Sequence, residues 1–422
     1  MSLKKRNKSN FKNFFNDNKV VISNYFSLTI LQAANYILPL VILPFLVRVL
    51  GAEKFGLVMF AQSLCVFLVV FVDYGFNISG TREIAIHKED KAKISEIFSA
   101  IMIIKMGLIL TALFLLFIIV NTFSRFRIDA TIYYLSFGLV IGQALFPTWF
   151  FQGIEKMKFV TLVNILAKLI FTLLVFILIK QESDYIFVPV YNSLGFIVAG
   201  LLGLLMSFKY VNYTIPPLAL IKKLLHESTS LFISNFATML YTSSNVFILG
   251  IFTGNTIVGV YSSMEKLILA VKNIYSPLYQ ALYPWLAKQD NKKKNDLIKK
   301  MTPFIFALGV IITLTILFFG KTILNIIYDD QLISSYASVF KILSLISIFS
   351  GLNMLYNALY LPAIKKYKLR MNILITGGLF NLALSLVLVS FFGIYGTACA
   401  VTTTELFLLI LGFYFYKKCS KA

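Results

Sequence analysis

Residues 371–404, MNILITGGLFNLALSLVLVSFFGIYGTACAVTTT, contain no charged side chain. A helix needs about 20 apolar residues to cross the roughly 30 Å hydrocarbon core of a bilayer, so this stretch is too long for one crossing and must turn. Runs such as 108–120 lack the period-two alternation of a membrane β-strand, which favours helices over barrel strands. The stretch therefore predicts two membrane-spanning helices.

Similar runs recur along the whole chain. Of its 422 residues, 59% are apolar and 14% are charged, whereas roughly a quarter of the residues of a soluble domain are charged. Counting also the spans that contain one or two charges, the runs predict about twelve helices, near 20–47, 55–80, 94–120, 131–151, 159–179, 185–208, 228–251, 257–286, 302–320, 335–361, 371–391 and 395–416. The predicted fold class is an all-α polytopic membrane protein.

Basic residues are distributed unevenly between alternate loops. The chain has 39 Lys and Arg and a net charge of +21. Most of the basic residues outside the spans fall in one set of loops and in the tails, while the other set holds only Arg48, Lys54, Arg125, Arg127, Lys180 and Lys321. Because positively charged loops stay in the cytoplasm, both termini are predicted to be cytoplasmic. The same loops face anionic membrane lipids, which are expected partners, whereas nucleic acid is not.

The sequence also contains a weak internal duplication. The glycine-bounded turns Gly51–Gly56 and Gly254–Gly259 follow the first and seventh predicted spans, and residues 154–158 resemble residues 364–368. These matches agree with six helices followed by six more. An even repeat preserves orientation, so the two bundles are predicted to be parallel, with the substrate path between them.

The duplication predicts three regions. Residues 1–208 are expected to form an N-terminal six-helix lobe, residues 209–227 a cytoplasmic linker, and residues 228–422 a C-terminal six-helix lobe. The outer loops are all short. Because a membrane glycan polymerase or ligase needs a sizeable outer loop to hold its chemistry, we expect a transporter rather than an enzyme.

Eight ionisable side chains fall inside predicted spans, namely Lys105, Lys168, Lys266, Lys272, Lys341, Asp73, Glu265 and Glu405. Each would cost about 3 kcal/mol if it faced lipid at the centre of a span, so most are expected to face a wet interior. Five lysines against three acids predict a cationic cavity, with Arg48 at its outer rim, and such a cavity suits an anionic substrate. Two alternatives stay open: Lys341 could snorkel from a span end, and Glu265 could pair with Lys266 or Lys272 as a structural bridge.

Polar residues also recur at steps of three and four along several spans. The stripes are Thr161, Asn164, Lys168 and Thr172; Ser230, Ser234, Thr238, Tyr241 and Asn245; and Tyr261, Glu265, Lys272, Ser276, Tyr279 and Tyr283. Such stripes line a cavity or hold neighbouring helices together. The three cysteines and two histidines have no metal-ligand spacing, so no metal site and no cofactor are expected.

Several motifs resemble one known family. They are Asn35-Tyr-Ile-Leu-Pro-Leu, Leu46-Val-Arg-Val-Leu-Gly51 with Glu53-Lys-Phe-Gly56, Asp73-Tyr-Gly-Phe-Asn77 with Thr81-Arg-Glu83, Pro147-Thr-Trp-Phe-Phe-Gln-Gly153, Tyr261-Ser-Ser-Met-Glu-Lys266, and Gln280-Ala-Leu-Tyr-Pro284. The chain resembles bacterial polysaccharide repeat-unit flippases of the Wzx or O-antigen transporter type. The resemblance implies the V-shaped fold of the multidrug/oligosaccharidyl-lipid/polysaccharide (MOP) exporter superfamily.

The resemblance also implies a function and site residues. The implied activity moves undecaprenyl-diphosphate-linked oligosaccharide from the cytoplasmic to the outer leaflet of the bacterial cytoplasmic (inner) membrane. The motifs indicate Arg48, Asp73, Arg82, Glu83, Glu265 and Lys266, with Arg82 and Glu83 as cytoplasmic-gate candidates. The burial argument alone adds Lys105, Lys168 and Lys272.

The combined hypothesis is alternating access. The lysines would pair with the diphosphate, the polyprenyl tail would stay in lipid at a lateral opening, and Asp73, Glu265 or Glu405 would carry a coupling proton. Two other classes remain open, a multidrug antiporter of the same superfamily and a glycan polymerase or ligase. The polysaccharide polymerase machinery is a further expected partner.

Overall fold

The computed structural model describes the backbone of residues 19–421 and the side chains of residues 38–420 other than 280, 281 and 284. Three predictions therefore lie wholly or partly outside the described residues. They are the basic tail before residue 19, the side chains of the motif that begins at Asn35, and those at positions 280, 281 and 284 of the 280–284 motif.

The first half of the described chain is helical, with one short 3-10 turn at Glu182–Ile186. Its helices are α1 (Lys19–Asp73), α2 (Phe76–Ile86), α3 (Lys91–Thr122), α4 (Ser124–Arg127), α5 (Ala130–Leu145), α6 (Thr148–Gly153), α7 (Met157–Leu178) and α8 (Phe187–Ser207).

The second half repeats this pattern after a non-helical connection. Its helices are α9 (Leu218–Thr242), α10 (Ser244–Phe252), α11 (Asn255–Asn273), α12 (Tyr275–Ala287), α13 (Asn291–Tyr328), α14 (Gln331–Ser335), α15 (Ala337–Ser344), α16 (Ile346–Asn353), the π-helical turn Met354–Tyr360, α17 (Leu361–Ala363) and α18 (Tyr367–Lys421). The connection is shorter than the predicted linker, because α9 begins at Leu218, directly after Pro217.

Two long helices each contain two crossings. Helix α1 bends at Gly51, with φ 69°, and helix α18 bends at Gly393, with φ 52°. The second bend lies within the 371–404 stretch that was expected to turn. Within the described residues, eight helical stretches are long and apolar enough to span a membrane, and two of them are long enough to cross twice. The interrupted pairs α9–α10 and α11–α12 lie at the positions of the seventh and eighth predicted spans. The all-α prediction with about twelve spans is confirmed.

The duplication is visible in backbone detail at the turns that precede α7 and α18. Glu155 and Lys365 both adopt a left-handed conformation, with φ 62° and φ 60°. The next residue of each turn donates its backbone N–H across the turn, from Lys156 to the Phe151 carbonyl at 2.8 Å and from Lys366 to the Leu361 carbonyl at 2.9 Å. The two turns therefore have the same conformation although their side chains differ in charge.

Candidate substrate cavity

A cavity of about 370 Å³ lies where the two halves of the molecule meet; we call it the seam cavity. Its walls come from α1, α7 and α8 of the first half and from α11 of the second. Most of the lining is apolar, and the polar side chains are Gln62, Lys168, Asn192, Lys266 and Asn273. The seam cavity therefore places one lysine from each half in the same space.

A second cavity of about 300 Å³, the inner cavity, is lined only by residues of the first half. Lys168 and Phe196 line both cavities, so the two spaces are neighbours. The polar lining of the inner cavity is much richer, and consists of Asp73, Asn77, Lys105, Gln143, Thr148, Asn164 and Lys168.

The position of Asp73 in the inner cavity follows from a break in the chain. Helix α1 ends at Asp73 because Tyr74 and Gly75 both take positive φ angles, of 49° and 82°. The chain then restarts as α2, where the Asn77 side-chain oxygen accepts a hydrogen bond of 2.8 Å from Thr148. The Asp73-Tyr-Gly-Phe-Asn77 motif thus sets two polar side chains on the cavity wall at a helix junction.

Lys105 of α3 reaches the same junction. Its ammonium donates to an Asp73 carboxylate oxygen at 3.3 Å, and the residue is only 3% exposed. The pairing corrects the expectation that Lys105 adds an uncompensated positive charge. Burying an ammonium in low dielectric is costly unless a carboxylate lies close by, and Asp73 provides that carboxylate.

Lys168 and Lys266 differ from Lys105. Within the described part of the chain, no carboxylate lies within 4 Å of either ammonium, whereas Lys105 and Lys272 each have one. Since the other polar side chains of the seam cavity are neutral amides, the space carries a net positive charge. The prediction of a cationic cavity therefore rests on two lysines, not on five.

An apolar groove of about 860 Å³ adjoins the seam cavity between α1 and the helices α11–α13. Leu40, Ala270 and Asn273 line both spaces. Beyond them the groove is almost entirely aliphatic, with Pro44, Leu267, Ile312 and Ile316 in its walls. The positively charged seam cavity therefore adjoins a long apolar surface.

A second lysine–carboxylate pair, between Lys272 and Glu405, lies within the second half. The other Glu405 oxygen accepts a hydrogen bond of 3.0 Å from Asn353, whose own carbonyl accepts from Asn357 at 2.6 Å. Lys272 thus pairs with Glu405 and not with Glu265, the partner considered from the sequence. Neither Lys272 nor Glu405 lines the seam or inner cavity, so a role of these two residues at the substrate stays a prediction.

Arg48 contacts the other half of the molecule instead of the cavity. Its guanidinium donates to the carbonyls of Ile326 and Ile327 in the last turn of α13, at 2.9 and 2.8 Å. Arg125 of α4 binds the end of α10 in the same way, through the carbonyls of Gly250 and Thr253. The carbonyls of a last helical turn lack intrahelical partners and attract cations, so each arginine joins the halves at a helix end.

Two glycines bring the two halves into contact at the end of the molecule where Arg48 and Arg125 bind. A Cβ at Gly56 would collide with the Asn255 carbonyl, and a Cβ at Gly259 would collide with the Ala52 carbonyl. Helix α11 therefore crosses α1 in backbone contact. The glycine-bounded turns identified from the sequence bring the halves together on the predicted outer side.

The sequence relationships agree with this architecture. The model of a family described as polysaccharide biosynthesis proteins matches residues 21–290. A putative O-antigen transporter of Escherichia coli (strain K12) is 31% identical over 401 residues, which cover 92% of this chain and 95% of that protein. The chain belongs to the polysaccharide biosynthesis protein family. Since its relatives are transporters, this family member is a transporter and not an enzyme.

Two solved structures give the fold. The lipid II flippase MurJ, in an inward closed conformation, matches with a TM-score of 0.71 at 15% identity, over 94% of this chain and 87% of that one. An inward-facing multidrug resistance MATE family transporter of the MOP superfamily matches with a TM-score of 0.68 at 14% identity, over 91% and 94%. The predicted exporter fold with two six-helix bundles is confirmed for this family member.

The gate candidates of this polysaccharide biosynthesis protein, Arg82 and Glu83, lie in α2 beside α9. Arg82 pairs with Glu83 at 3.0 Å and with Glu227 of α9 at 2.9 Å. Beside them, the Ser79 and Ser228 hydroxyls are 2.8 Å apart. These contacts tie α2 to the first turns of α9, so Arg82 and Glu83 do occupy a contact between segments; their role as a gate stays a prediction.

Several polar residues join helices in place of lining the cavities. The Tyr279 hydroxyl donates to the Gly351 carbonyl at 2.7 Å, and Ser385 donates to the Asn245 side chain at 3.3 Å. Glu265 and Lys341 are half-buried and line neither the seam cavity nor the inner cavity. In the second half of this family member, the stripes mostly hold helices together.

Sequence reasoning missed three residues of these networks. Asn353 and Asn357 complete the Glu405 site, and their signal was two amides four residues apart in the uncharged run 342–364. The signal for Arg125 was its position in a set of loops that is otherwise poor in basic residues.

Proposed function

We propose that this transporter moves undecaprenyl-diphosphate-linked oligosaccharide repeat units from the cytoplasmic to the outer leaflet of the bacterial inner membrane. In this proposal the diphosphate and the glycan occupy the seam and inner cavities. The polyprenyl tail lies in the apolar groove between α1 and α11–α13. The halves then rock about their contact to open the cavity on the other side of the membrane.

The observation that supports this substrate class best is the junction between the seam cavity and the apolar groove. Lys168 and Lys266 supply two ammonium groups without a carboxylate within 4 Å among the described residues, and charge-assisted hydrogen bonds to phosphate are strong in a poorly hydrated space. Leu40 and Ala270 line both this cavity and the aliphatic groove beside it. An amphiphile with an anionic head and a long apolar tail matches both surfaces at once.

The charge of the cavity also weighs against the alternative of a multidrug antiporter for cationic compounds. A cation in the seam cavity would lie beside Lys168 and Lys266 without a free carboxylate from the cavity wall. Like charges in such a space repel by several kcal/mol at short distance. An antiporter would be favoured if purified protein moved cationic dyes at rates comparable with the lipid-linked glycan.

The test is transport in reconstituted vesicles. Lipid-linked oligosaccharide is incorporated with the protein, and a glycosidase that cannot cross the membrane measures the fraction of glycan exposed over time. We expect the double substitution Lys168→Gln with Lys266→Gln to lower the rate at least about tenfold, because it removes both unpaired charges. Lys321→Gln changes an exposed lysine that lines neither cavity, and it is the matched control.

Transport at the normal rate in the double variant would contradict the proposed binding mode. For identification of the natural glycan, mass spectrometry of the lipid-linked oligosaccharides that accumulate in a deletion strain gives the sugar composition directly. If no lipid-linked oligosaccharide accumulates in that strain, the proposed substrate class is contradicted.

Proton coupling is a separate part of the proposal. Asp73 lines the inner cavity, and Glu265, although it lines neither cavity, directly precedes Lys266 in α11, whereas Glu405 is bound by Lys272 and Asn353. We assign the coupling proton to Asp73 or Glu265. An imposed pH gradient should speed transport, and Glu265→Gln or Asp73→Asn should remove that response; a rate that ignores the gradient would contradict coupling.

A further inference from the structure

A third cavity, of about 620 Å³, lies at the end of the second half that is predicted to face the cytoplasm. Four lysines line it: Lys294 near the start of α13, Lys365 and Lys366 in the turn before α18, and Lys418 at the end of α18. No acidic residue is among the described residues that line it. We call this space the lysine pocket; it is separate from the seam and inner cavities.

Lys294 is the unusual member of the lysine pocket. It is only 8% exposed, and within the described residues it has neither a carboxylate within 4 Å nor a side-chain hydrogen bond. Its neighbour Lys293 is exposed, and lies 4.0 Å from Asp290, the residue that caps the helix. Buried ammonium groups are normally paired, so the isolated ammonium of Lys294 points to an anion that binds in the pocket.

The residue of the first half that corresponds to Lys294 is uncharged. Asp90 caps α3 as Asp290 caps α13, and the fourth residue after each cap donates its backbone N–H to the cap carbonyl at 3.0 Å. That residue is Ile94 in the first half and Lys294 in the second, and both are buried.

The turns before α7 and α18 also differ in charge, and the positive charge is again in the second half. Glu155, at the left-handed position of the first turn, pairs with Lys88 at 2.9 Å. Lys365 occupies this position in the second turn. The two backbones are alike, so the charge was introduced without a change of fold. An apolar residue and an acid in one half correspond to two lysines in the other.

We propose that the lysine pocket binds the phosphate group of an anionic phospholipid of the membrane leaflet that it faces. The pocket lies at the ends of spanning helices, where headgroups are found, and Phe415 provides an apolar wall. Tyr367 and Tyr414 nearby are exposed, as aromatic residues at a membrane interface commonly are. A headgroup phosphate there accepts hydrogen bonds from Lys294 and from the exposed lysines of the turn and of α18.

The experiment is a thermal unfolding series of the full chain in lipid nanodiscs. The discs contain phosphatidylcholine alone, phosphatidylcholine with phosphatidylglycerol, or phosphatidylcholine with inorganic phosphate in the buffer. We expect phosphatidylglycerol to raise the unfolding temperature of the unchanged protein and inorganic phosphate to have little effect. Native mass spectrometry of the same samples should show phosphatidylglycerol that remains bound.

Lys294→Ile introduces the residue that the first half carries at this position. In phosphatidylcholine alone it should unfold at the same temperature as the unchanged protein or higher, because it removes a buried unpaired charge. In discs that contain phosphatidylglycerol, the unfolding temperature of this variant should rise little, because its affinity for the lipid is expected to be weaker by about tenfold or more. Lys293→Gln, the exposed neighbour, is the control and should behave like the unchanged protein.

Three results would overturn the proposal. One is an unfolding temperature of the unchanged protein that does not respond to phosphatidylglycerol. Another is equal stabilisation of Lys294→Ile and the unchanged protein by this lipid. If inorganic phosphate stabilises as well as the lipid does, the pocket binds free phosphate and the assignment to a lipid is wrong. None of these measurements depends on transport.

Discussion

Each half of this transporter buries one lysine–carboxylate pair, and the two pairs have different surroundings. Asp73 and Lys105 in the first half lie on the wall of the inner cavity, next to Lys168. Lys272 and Glu405 in the second half line neither the inner nor the seam cavity; Glu405 also accepts a hydrogen bond from Asn353, and the centre of the Tyr241 ring lies 5.9 Å from the Lys272 ammonium. We infer that the first pair belongs to the substrate path and that the second holds helices together.

The difference is one of solvation. A pair on a cavity wall can exchange its partner for water or for a ligand, so the loss of one charge is partly compensated. A pair that lines neither cavity, which we call the sealed pair, has no ligand to take the place of a lost partner, and removal of one partner leaves an unpaired charge at a cost of about 3–5 kcal/mol. The same residue types in spans of one chain therefore have different consequences when they are changed.

The largest expected effect is on the sealed pair. Glu405→Leu should lower the free energy of unfolding by about 3–5 kcal/mol, since Lys272 loses its partner. The measurement is the unfolding temperature in detergent together with the amount of protein in the membrane. Adding Lys272→Met to Glu405→Leu should restore most of the stability; a double variant as unstable as the single one would contradict the assignment of the cost to an unpaired charge.

Removal of the carboxylate at the cavity should affect transport more than folding. Asp73→Asn keeps the size of the side chain, and Lys105 can turn toward water in the inner cavity. We expect membrane abundance to stay within about twofold and transport to fall about tenfold or more. If Asp73→Asn instead destabilises the protein as much as Glu405→Leu, the two pairs do not differ in the way described.

Exchanging the lysine and the carboxylate within each pair is a further way to distinguish the two sites. Lys272→Glu with Glu405→Lys leaves the Asn353 amide facing an ammonium, so one buried donor loses its acceptor, at a cost of about 1–3 kcal/mol. Among the described residues, no side-chain amide donates to the Asp73–Lys105 pair, so Asp73→Lys with Lys105→Asp should be tolerated better. The measurement is the unfolding temperature of the two exchanged proteins side by side. An equal decrease in both would contradict the proposed difference between the pairs.

The smallest expected effect concerns the exposed contact at the start of α9. Arg82 is more than half exposed, and exposed ion pairs contribute about 0.2–1 kcal/mol. Glu227→Gln should therefore leave the unfolding temperature nearly unchanged. If it nevertheless alters the transport rate, the prediction that Arg82 and Glu83 form a gate is supported, and an unaltered rate would contradict it.

The sequence predicted the fold well because membrane crossing imposes a simple length rule. Uncharged runs gave the number of spans, and the stretch 371–404 turns at Gly393 as its length required. The motif around Asp73 likewise predicted a polar residue that does line a cavity. These features depend on local composition, which the sequence contains directly.

The pairing of charges could not be predicted in the same way. Lys105 meets Asp73 across 32 residues, and Lys272 meets Glu405 across 133. A helical stripe indicates which residues share a face but not which helix lies opposite. For this reason five lysines were assigned to one cavity, whereas Lys105 and Lys272 pair with carboxylates, Lys341 lines neither cavity, and Lys168 and Lys266 are the lysines of the described chain that line the seam cavity.

The central claim, that Lys168 and Lys266 bind an anionic lipid head, is tested most directly by a binding comparison in detergent. A short-chain polyprenyl diphosphate and the matching polyprenyl alcohol differ only in the head, and their affinities are measured by native mass spectrometry. We predict that the unchanged protein binds the diphosphate at least about tenfold more tightly than the alcohol, and that Lys168→Gln with Lys266→Gln removes this preference. Equal affinities in the unchanged protein, or a preference that survives the double substitution, would contradict the account.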